Sequence, residues 1–153
     1  MITPIPPSRE EQVGYYYGLN SRPRLIARSS TNPWEHKHDG FYPVPKSFDL
    51  VGKHPMIKPW NDSTSALRQG IGRILQEVDW TAIDVLRIGY DINYWTGEDF
   101  GHPEKPVTLL ITVRKDSTSW AKAHRVVMAC RAVLQQCDLH DVHVEMKQPR
   151  EDV

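Results

Sequence analysis

The sequence predicts an α+β domain of ferredoxin-like order, βαββαβ, with two helices on one face of an antiparallel sheet. The stretch Trp80–Tyr90 is dense in β-branched and large apolar residues, which is typical of a strand. A helical apolar pattern leads directly into it, and strand, helix and strand patterns follow it. With a further strand pattern near the N-terminus, the order becomes strand, helix, strand, strand, helix, strand.

The first strand and the first helix are predicted in the N-terminal half of the chain. The strand covers residues 23–29, where Leu25 and Ala27 share one face. The helix covers residues 63–78, because apolar residues recur there at helical spacing, namely Leu67, Ile71, Ile74, Leu75 and Val78. Gly70 and Gly72 each weaken a helix by up to about 1 kcal/mol relative to alanine, and we expect close packing against a strand or another chain to explain them.

The second half of the pattern begins with strands over residues 80–90 and 107–113, which we expect to pair as an antiparallel hairpin with a long loop. A helix follows over residues 117–139, with an apolar seam of Trp120, Ala123, Val127, Cys130, Leu134 and Cys137. The last strand alternates Val142, Val144 and Met146 with polar residues. On this strand we expect Glu145 to face water.

The remaining segments set the predicted domain limits. Residues 1–13 are polar and proline-rich and are predicted to be a disordered tail, residues 14–148 a single α+β domain, and residues 149–153 a second tail. Three consecutive tyrosines at 15–17 are expected to cover an apolar surface. The connection over residues 30–62 is rich in proline and aromatic residues, so we predict an ordered, irregular N-terminal meander.

Composition limits the classes of partner. A chain of 153 residues with formal net charge +0 fits one domain and has no global field to attract phosphate, which argues against general nucleic-acid binding. Without a long apolar run or a secretion signal we expect no membrane partner. Cys130 and Cys137, seven residues apart on one predicted helix, are read as unbridged thiols in a reducing compartment. We therefore expect an intracellular protein, cytoplasmic or nuclear.

Several segments carry a resemblance to other proteins: RPRLIARSST at residues 22–31, PW at 33–34, YPVPK at 42–46, VGKHP at 51–55 and WTAIDVLRIGY at 80–90. In these segments and their order the chain resembles a family of uncharacterised fungal proteins. The resemblance extends from Tyr16 to Glu145, with a departure at residues 114–118, where a glycine-serine loop is expected. It implies a fungal, intracellular source and no activity or catalytic residue.

Histidines offer one possible chemistry. In an extended segment His36 and His38 point to the same side, and two imidazoles can share a zinc or copper ion. His54 and His102 are the candidates for the missing ligands. This reading gives the alternative function, a metal-dependent hydrolase with zinc or another divalent metal as cofactor, whereas the leading reading has no cofactor.

Aromatic residues in irregular segments give the leading hypothesis. Trp34, Trp60, Tyr94 and Trp95 lie outside the predicted helices and strands, and tryptophan and tyrosine dominate the energetics of binding surfaces. No Ser-His-Asp, Cys-His or phosphate-binding glycine pattern is visible, so we lean against an enzyme. The sequence therefore predicts a non-enzymatic binding module whose partner is another protein or a second copy of itself. An RNA-binding sandwich ranks last, because the central strand carries aliphatic residues.

Overall fold

The computed structural model describes residues 4–39, 42–91 and 105–150 of the chain. In chain order, its helices are α1 (Arg9–Gly14), α2 (Ile57–Asn61), α3 (Ala66–Leu75) and α4 (Trp120–Gln136). Its strands are β1 (Arg24–Arg28), β2 (His38–Asp39), β3 (Tyr42–Pro43), β4 (Lys46–Asp49), β5 (Trp80–Tyr90), β6 (Val107–Val113) and β7 (His143–Gln148). Strands β5 and β6 have the predicted bounds, and helix α1 lies mostly within the predicted N-terminal tail.

A mixed five-stranded sheet forms the centre of the fold, in the spatial order β1-β7-β6-β5-β4. Strands β6 and β7 are parallel and the other three pairs are antiparallel. The parallel pair needs a crossover connection, and α4 supplies it. Strands β1 and β4 are the two edges, while β2 and β3 form a separate small hairpin.

The prediction of a ferredoxin-like antiparallel sheet with two helices on one face was wrong. In that arrangement the first strand lies inside the sheet, but here β1 lies at one edge and, among the described strands, pairs with β7 alone. A strand from the meander, β4, adds to the other edge by pairing with β5. In the part of the chain that the structure describes, the result is a curled half-barrel sheet with four helices. The physical reason is the long connection between β1 and α3, which imposes no local crossover and leaves β1 free to pair with β7.

The Tyr15 side chain bridges two strands that lie on different sides of the sheet. The Tyr15 hydroxyl lies 2.6 Å from Oε2 of Glu145 on β7, and the Tyr15 ring centroid lies 3.3 Å from Nζ of Lys46 on β4. Strands β7 and β4 are three strand spacings apart, about 14 Å in a flat sheet. One tyrosine therefore contacts side chains from two strands that are not neighbours in the sheet.

The main apolar core lies between one face of the sheet and helices α3 and α4. Leu109 and Ile111 of β6 and Val144 and Met146 of β7 are fully buried there, under the apolar stripes of both helices. Close packing exists at Gly70, against a helix rather than the expected strand or second chain: a Cβ there would lie 3.1 Å from a methyl group of Val133 on α4. Gly70 therefore lets the two helices approach each other.

A second, smaller apolar cluster covers the opposite face of the sheet. It contains Tyr15, Tyr16, Leu19, Leu25, Ile88 and Leu110, with Trp34 and Leu86 packed against it. The tyrosines at 15 and 16 thus cover an apolar surface, as predicted. Among the described residues, no helix has the length and apolar character needed to cross a membrane.

Gly18 provides a test of how tightly this N-terminal segment is fixed. Its φ is +102°, and a Cβ would lie 2.5 Å from Cβ of Pro45 and 2.7 Å from the backbone oxygen of Lys46. We expect Gly18→Ala to lower the free energy of unfolding by about 3 kcal/mol, because strain and a backbone clash act together. Urea denaturation measures the change.

Gly72→Ala is the matched control, since the residue is helical and, beyond its own stretch of helix, no described residue lies within 4 Å of an added Cβ. It should be neutral or stabilising by up to about 1 kcal/mol. Equal effects of the two substitutions would contradict the tight packing of residues 15–19 against β4.

Candidate binding groove

A groove of about 430 Å³ runs beside β1, the edge strand of the sheet. We call it the edge groove. Leu25, Ala27 and Arg28 of β1 form its base, and its walls come from the chain before α1, from the loop after β1 and from the start of α4. The lining is Pro4, Ile5, Pro6, Pro7, Ser8, Glu11, Leu25, Ala27, Arg28, Ser30, Thr31, Asn32, Pro33, Trp34, Trp120 and His124. Its size lies within the range of ordinary ligand sites.

Two tryptophans in the lining belong to opposite faces of the sheet. Trp34 is half-buried and packs against the second apolar cluster, whereas Trp120 is half-buried and packs against the main core. The edge groove therefore straddles the sheet edge, with one aromatic wall anchored in each core. Anchored walls keep their positions when no ligand is bound, which lowers the cost of binding.

Trp120 is placed by the start of α4. The Ser119 hydroxyl accepts a hydrogen bond from the Lys122 amide at 3.2 Å and caps the helix, so Trp120 is its first residue. One turn later, His124 stacks on the indole with ring centroids 5.0 Å apart and an interplanar angle of 26°. The helix start thus presents a flat aromatic pair to the groove.

Trp34 is held by a close approach of the backbone at Gly14. A Cβ on Gly14 would lie 2.7 Å from the His36 ring and 3.0 Å from the Trp34 indole. The ring of His36 packs edge-on against Trp34 with centroids 4.5 Å apart. The lack of a side chain at Gly14 therefore lets Trp34 and His36 lie directly against the end of α1.

Arg28 lies at the base of the groove, and each of its three guanidinium nitrogens donates a hydrogen bond there. Its Nε donates to Glu11 at 2.9 Å, and its terminal nitrogens donate to the carbonyl oxygens of Ser30 at 2.9 Å and Asn32 at 2.7 Å. The guanidinium thereby joins α1 to the loop after β1. Because Glu11 balances its charge, the base of the groove carries no surplus charge.

A buried carboxylate on β7, the strand that pairs with β1, fixes the N-terminal segment. Glu145 is only 7% exposed and accepts hydrogen bonds from the hydroxyls of Tyr15 at 2.6 Å and Tyr16 at 2.9 Å. Burial, together with the Glu145 charge, raises the pKa of both tyrosines well above the usual value, so both stay protonated donors. The expectation that Glu145 faces water was wrong, because strand alternation does not show whether a polar face is covered.

Lys46 completes this set, which we call the tyrosine cluster (Tyr15, Tyr16, Lys46, Glu145). Its ammonium group lies over the rings of Tyr15, Tyr16 and Tyr90 at 3.3, 5.9 and 5.3 Å, and the residue is 8% exposed. Burial lowers the pKa of Lys46 to about 8, against the attraction of Glu145. The rings and the carboxylate offset only part of the cost of removing the amine from water.

The predicted aromatic binding residues do not converge. Trp34 lines the edge groove, but Trp60 lies elsewhere, stacked under the guanidinium of Arg68 at 4.7 Å and packed on the main core. Tyr94 and Trp95 lie outside the described residues. Of the four predicted residues, the structure therefore places Trp34 in a candidate site.

The predicted histidine ligands also separate. His36 and His38 are neighbours with ring centroids 5.9 Å apart, while His102 lies outside the described residues. His54 has both ring nitrogens occupied: Nδ1 accepts from the Met56 amide at 3.1 Å and Nε2 lies 2.9 Å from Asp141. This contact also lowers the pKa of Asp141. Within residues 4–39, 42–91 and 105–150, no three His, Cys, Asp or Glu side chains are grouped to hold a metal.

Sequence reasoning missed Trp120, His124 and Arg28 as groove residues. Trp120 was assigned to the apolar seam of its helix, and its spacing gives no sign that it also lines a groove. The Trp120–His124 pair at i and i+4 was the available signal. The position of β1 at the sheet edge, which creates the groove, has no signature in the sequence.

Comparisons with known proteins give no indication of function, so the functional proposal is based on the geometry of the edge groove. A scan of protein-family models, a search of curated proteins and a search of solved structures each found no match.

The tyrosine cluster predicts a specific loss of stability. We expect Tyr16→Phe to lower the free energy of unfolding by about 1–3 kcal/mol, because the buried Glu145 carboxylate loses one of its two donors. Urea denaturation at neutral pH measures it. Tyr17→Phe is the matched control, since Tyr15 and Tyr16 supply the hydroxyls to Glu145, and a loss as large for Tyr17→Phe would contradict this account.

Lys46 predicts a pH dependence. Its folded pKa of about 8 is below its ordinary value of 10.5, so between these values the unfolded chain binds more protons. Stability contributed by the lysine therefore rises with pH, by about 1–2 kcal/mol from pH 7 to pH 9. Denaturation curves over this range should show the rise in the natural protein and not in Lys46→Met.

Comparing the natural protein with Lys46→Met separates the pH dependence of stability due to Lys46 from that due to other groups. Burial raises the pKa of Cys130 to about 12 and also raises that of the buried tyrosines, so these groups reduce stability at higher pH in both proteins. Parallel curves for the natural protein and Lys46→Met would show that the amine is not held in the buried position.

Proposed function

We propose that the protein is a non-enzymatic binding module that holds an extended segment of a protein partner in the edge groove. The observation that carries the proposal is the pair of tryptophans, Trp34 and Trp120, anchored in opposite cores and lining one groove of about 430 Å³. Large, rigid aromatic side chains at the centre of a concave site supply most of the affinity of typical interfaces.

The charged groups of the groove support binding rather than catalysis. Arg28 and Glu11 are the ionic groups at its base, and each is held by the other. Of these two groups, a guanidinium cannot exchange protons with a substrate at neutral pH, and Glu11 is held by Arg28 at 2.9 Å. The titratable side chain of the wall, His124, is stacked on Trp120 as part of the aromatic surface. The net charge of +0 also supports a protein partner over nucleic acid.

The partner is a separate protein rather than a second copy. The chain's own proline segment, residues 4–7, lines the groove of its own molecule and leads into α1 through the Ser8 cap. The Gln12 side chain donates to the Pro7 carbonyl at 3.1 Å and holds the segment there. A segment retained in this way is not available to a neighbouring molecule. The free Cys130 and Cys137 support an intracellular setting, cytoplasmic or nuclear.

Selection from a phage-displayed library of random linear peptides tests the proposal on the full chain. We expect enriched peptides to bind the natural protein and to bind Trp120→Ala about tenfold more weakly or worse, which corresponds to at least about 1.4 kcal/mol. Isothermal titration calorimetry with the enriched peptides measures the affinities, and circular dichroism checks that the variant is folded.

Trp80→Ala is the matched control for this test. Trp80 is 48% exposed on β5 and is not part of the groove lining, so its removal should leave peptide affinity unchanged. The proposal would be contradicted if no peptide were enriched, or if Trp120→Ala and the natural protein bound the enriched peptides with equal affinity. Light scattering that found a dimer abolished by Trp120→Ala would instead assign the groove to a second copy.

A further inference from the structure

We propose that the segment bound in the edge groove is an uncharged, proline-rich peptide in the polyproline II conformation. This inference rests on the proposed binding function and names the chemistry of the partner. Three features of the groove lead to it: its aromatic walls, its neutral base, and the irregular edge of β1.

The aromatic walls suit proline rings. Trp120 with the stacked His124 lines one side of the groove, and Trp34 lines it from the other face of the sheet. Polyproline II segments dock their rings into grooves lined by aromatic side chains, and they enter such grooves already ordered. The groove is also bordered by Pro4, Ile5, Pro6 and Pro7, and Ile5 is 78% exposed, which extends the apolar surface at the rim.

The neutral base excludes an acidic or basic segment. To bind a charged ligand, the groove needs a side chain of opposite charge that can leave its partners within the protein. Arg28 is committed to Glu11 and to two loop carbonyls, so an acidic ligand would have to displace all three. Glu11 in turn is committed to Arg28, so a basic ligand gains no free carboxylate there. An uncharged segment leaves these contacts in place.

The edge of β1 is a poor template for an added strand. Strand β1 has five residues, and its register shifts between Leu25 and Ala27, where a bulge interrupts the regular alternation of donors and acceptors. The prolines at positions 4, 6 and 7, along another side of the groove, have no backbone N–H to donate. A polyproline II segment does not need to form strand-to-strand backbone hydrogen bonds with β1, because its own backbone groups remain hydrated.

Fluorescence titration of the full chain with acetyl-decaproline-amide tests the inference. We expect a saturable change in tryptophan emission that is independent of salt concentration. The reason is that neither the base of the groove nor the capped peptide presents an unpaired charge. Two comparison probes are titrated in parallel: a threonine-valine alternating decamer with a lysine at each end, and oligoglutamate of equal length. Both should bind about tenfold more weakly or worse than decaproline.

Two variants locate the binding. Trp120→Ala removes one aromatic wall and should weaken decaproline binding about tenfold or more. Thr31→Tyr keeps both cores intact, since Thr31 is an exposed residue of the groove lining, and should weaken binding by filling the space. Trp80→Ala, outside the groove, should bind decaproline as the natural protein does.

The outcomes separate this inference from the function on which it rests. If library peptides bind in a Trp120-dependent way but decaproline does not, the groove binds peptides of another chemistry and the inference is overturned. Equal or tighter binding of the threonine-valine decamer would favour strand addition, and tighter binding of oligoglutamate would favour an acidic partner. If neither decaproline nor any library peptide binds, both proposals fail.

Discussion

The hydrogen bonds from Tyr15 and Tyr16 to the buried Glu145 are the constraint on which the described fold depends. A carboxylate with 7% exposure on a strand is costly unless donors reach it, and the two hydroxyls do so at 2.6 and 2.9 Å. These contacts join the N-terminal segment to β7. Lys46 of β4, at the far edge of the sheet, lies over the same Tyr15 ring, so this ring also contacts β4.

The position of the groove wall at Trp34 follows from this constraint. The segment carrying the tyrosines brings α1 against β1, and there Glu11 meets Arg28 at 2.9 Å. Arg28 then holds the loop after β1 that leads to Trp34. A polar cluster on one face of the sheet therefore positions an aromatic wall at its edge. The opposite wall depends on α4, which packs on the main core.

The two faces of the sheet contribute different properties to the groove. The main core is apolar and buries the stripes of α3 and α4, so the start of α4 and Trp120 are fixed by packing. The second cluster combines apolar contacts with the buried polar tyrosine cluster, so its geometry is directional. A groove whose walls are held by different kinds of interaction keeps its shape without a ligand, which fits a pre-formed site for a stiff peptide.

The sequence by itself determined the local elements. Alternation and helical spacing are properties of neighbouring residues, so β5, β6 and the two long helices could be predicted, and the bounds of β5 and β6 agree with the structure. The covering role of the tyrosines at 15 and 16 could also be predicted, because their large apolar area makes exposure costly. Trp34 was found as a candidate binding residue on similar grounds.

Only the tertiary structure decided how these elements pair and what they enclose. The long connection after β1 carries no local signal for its pairing, so the placement of β1 beside β7 and of β4 beside β5 depends on contacts between distant residues. The burial of Glu145 depends on hydroxyls more than a hundred positions away. The edge groove arises where β1, α1 and α4 meet. Since residues far apart in the chain meet there, no local pattern could have located it.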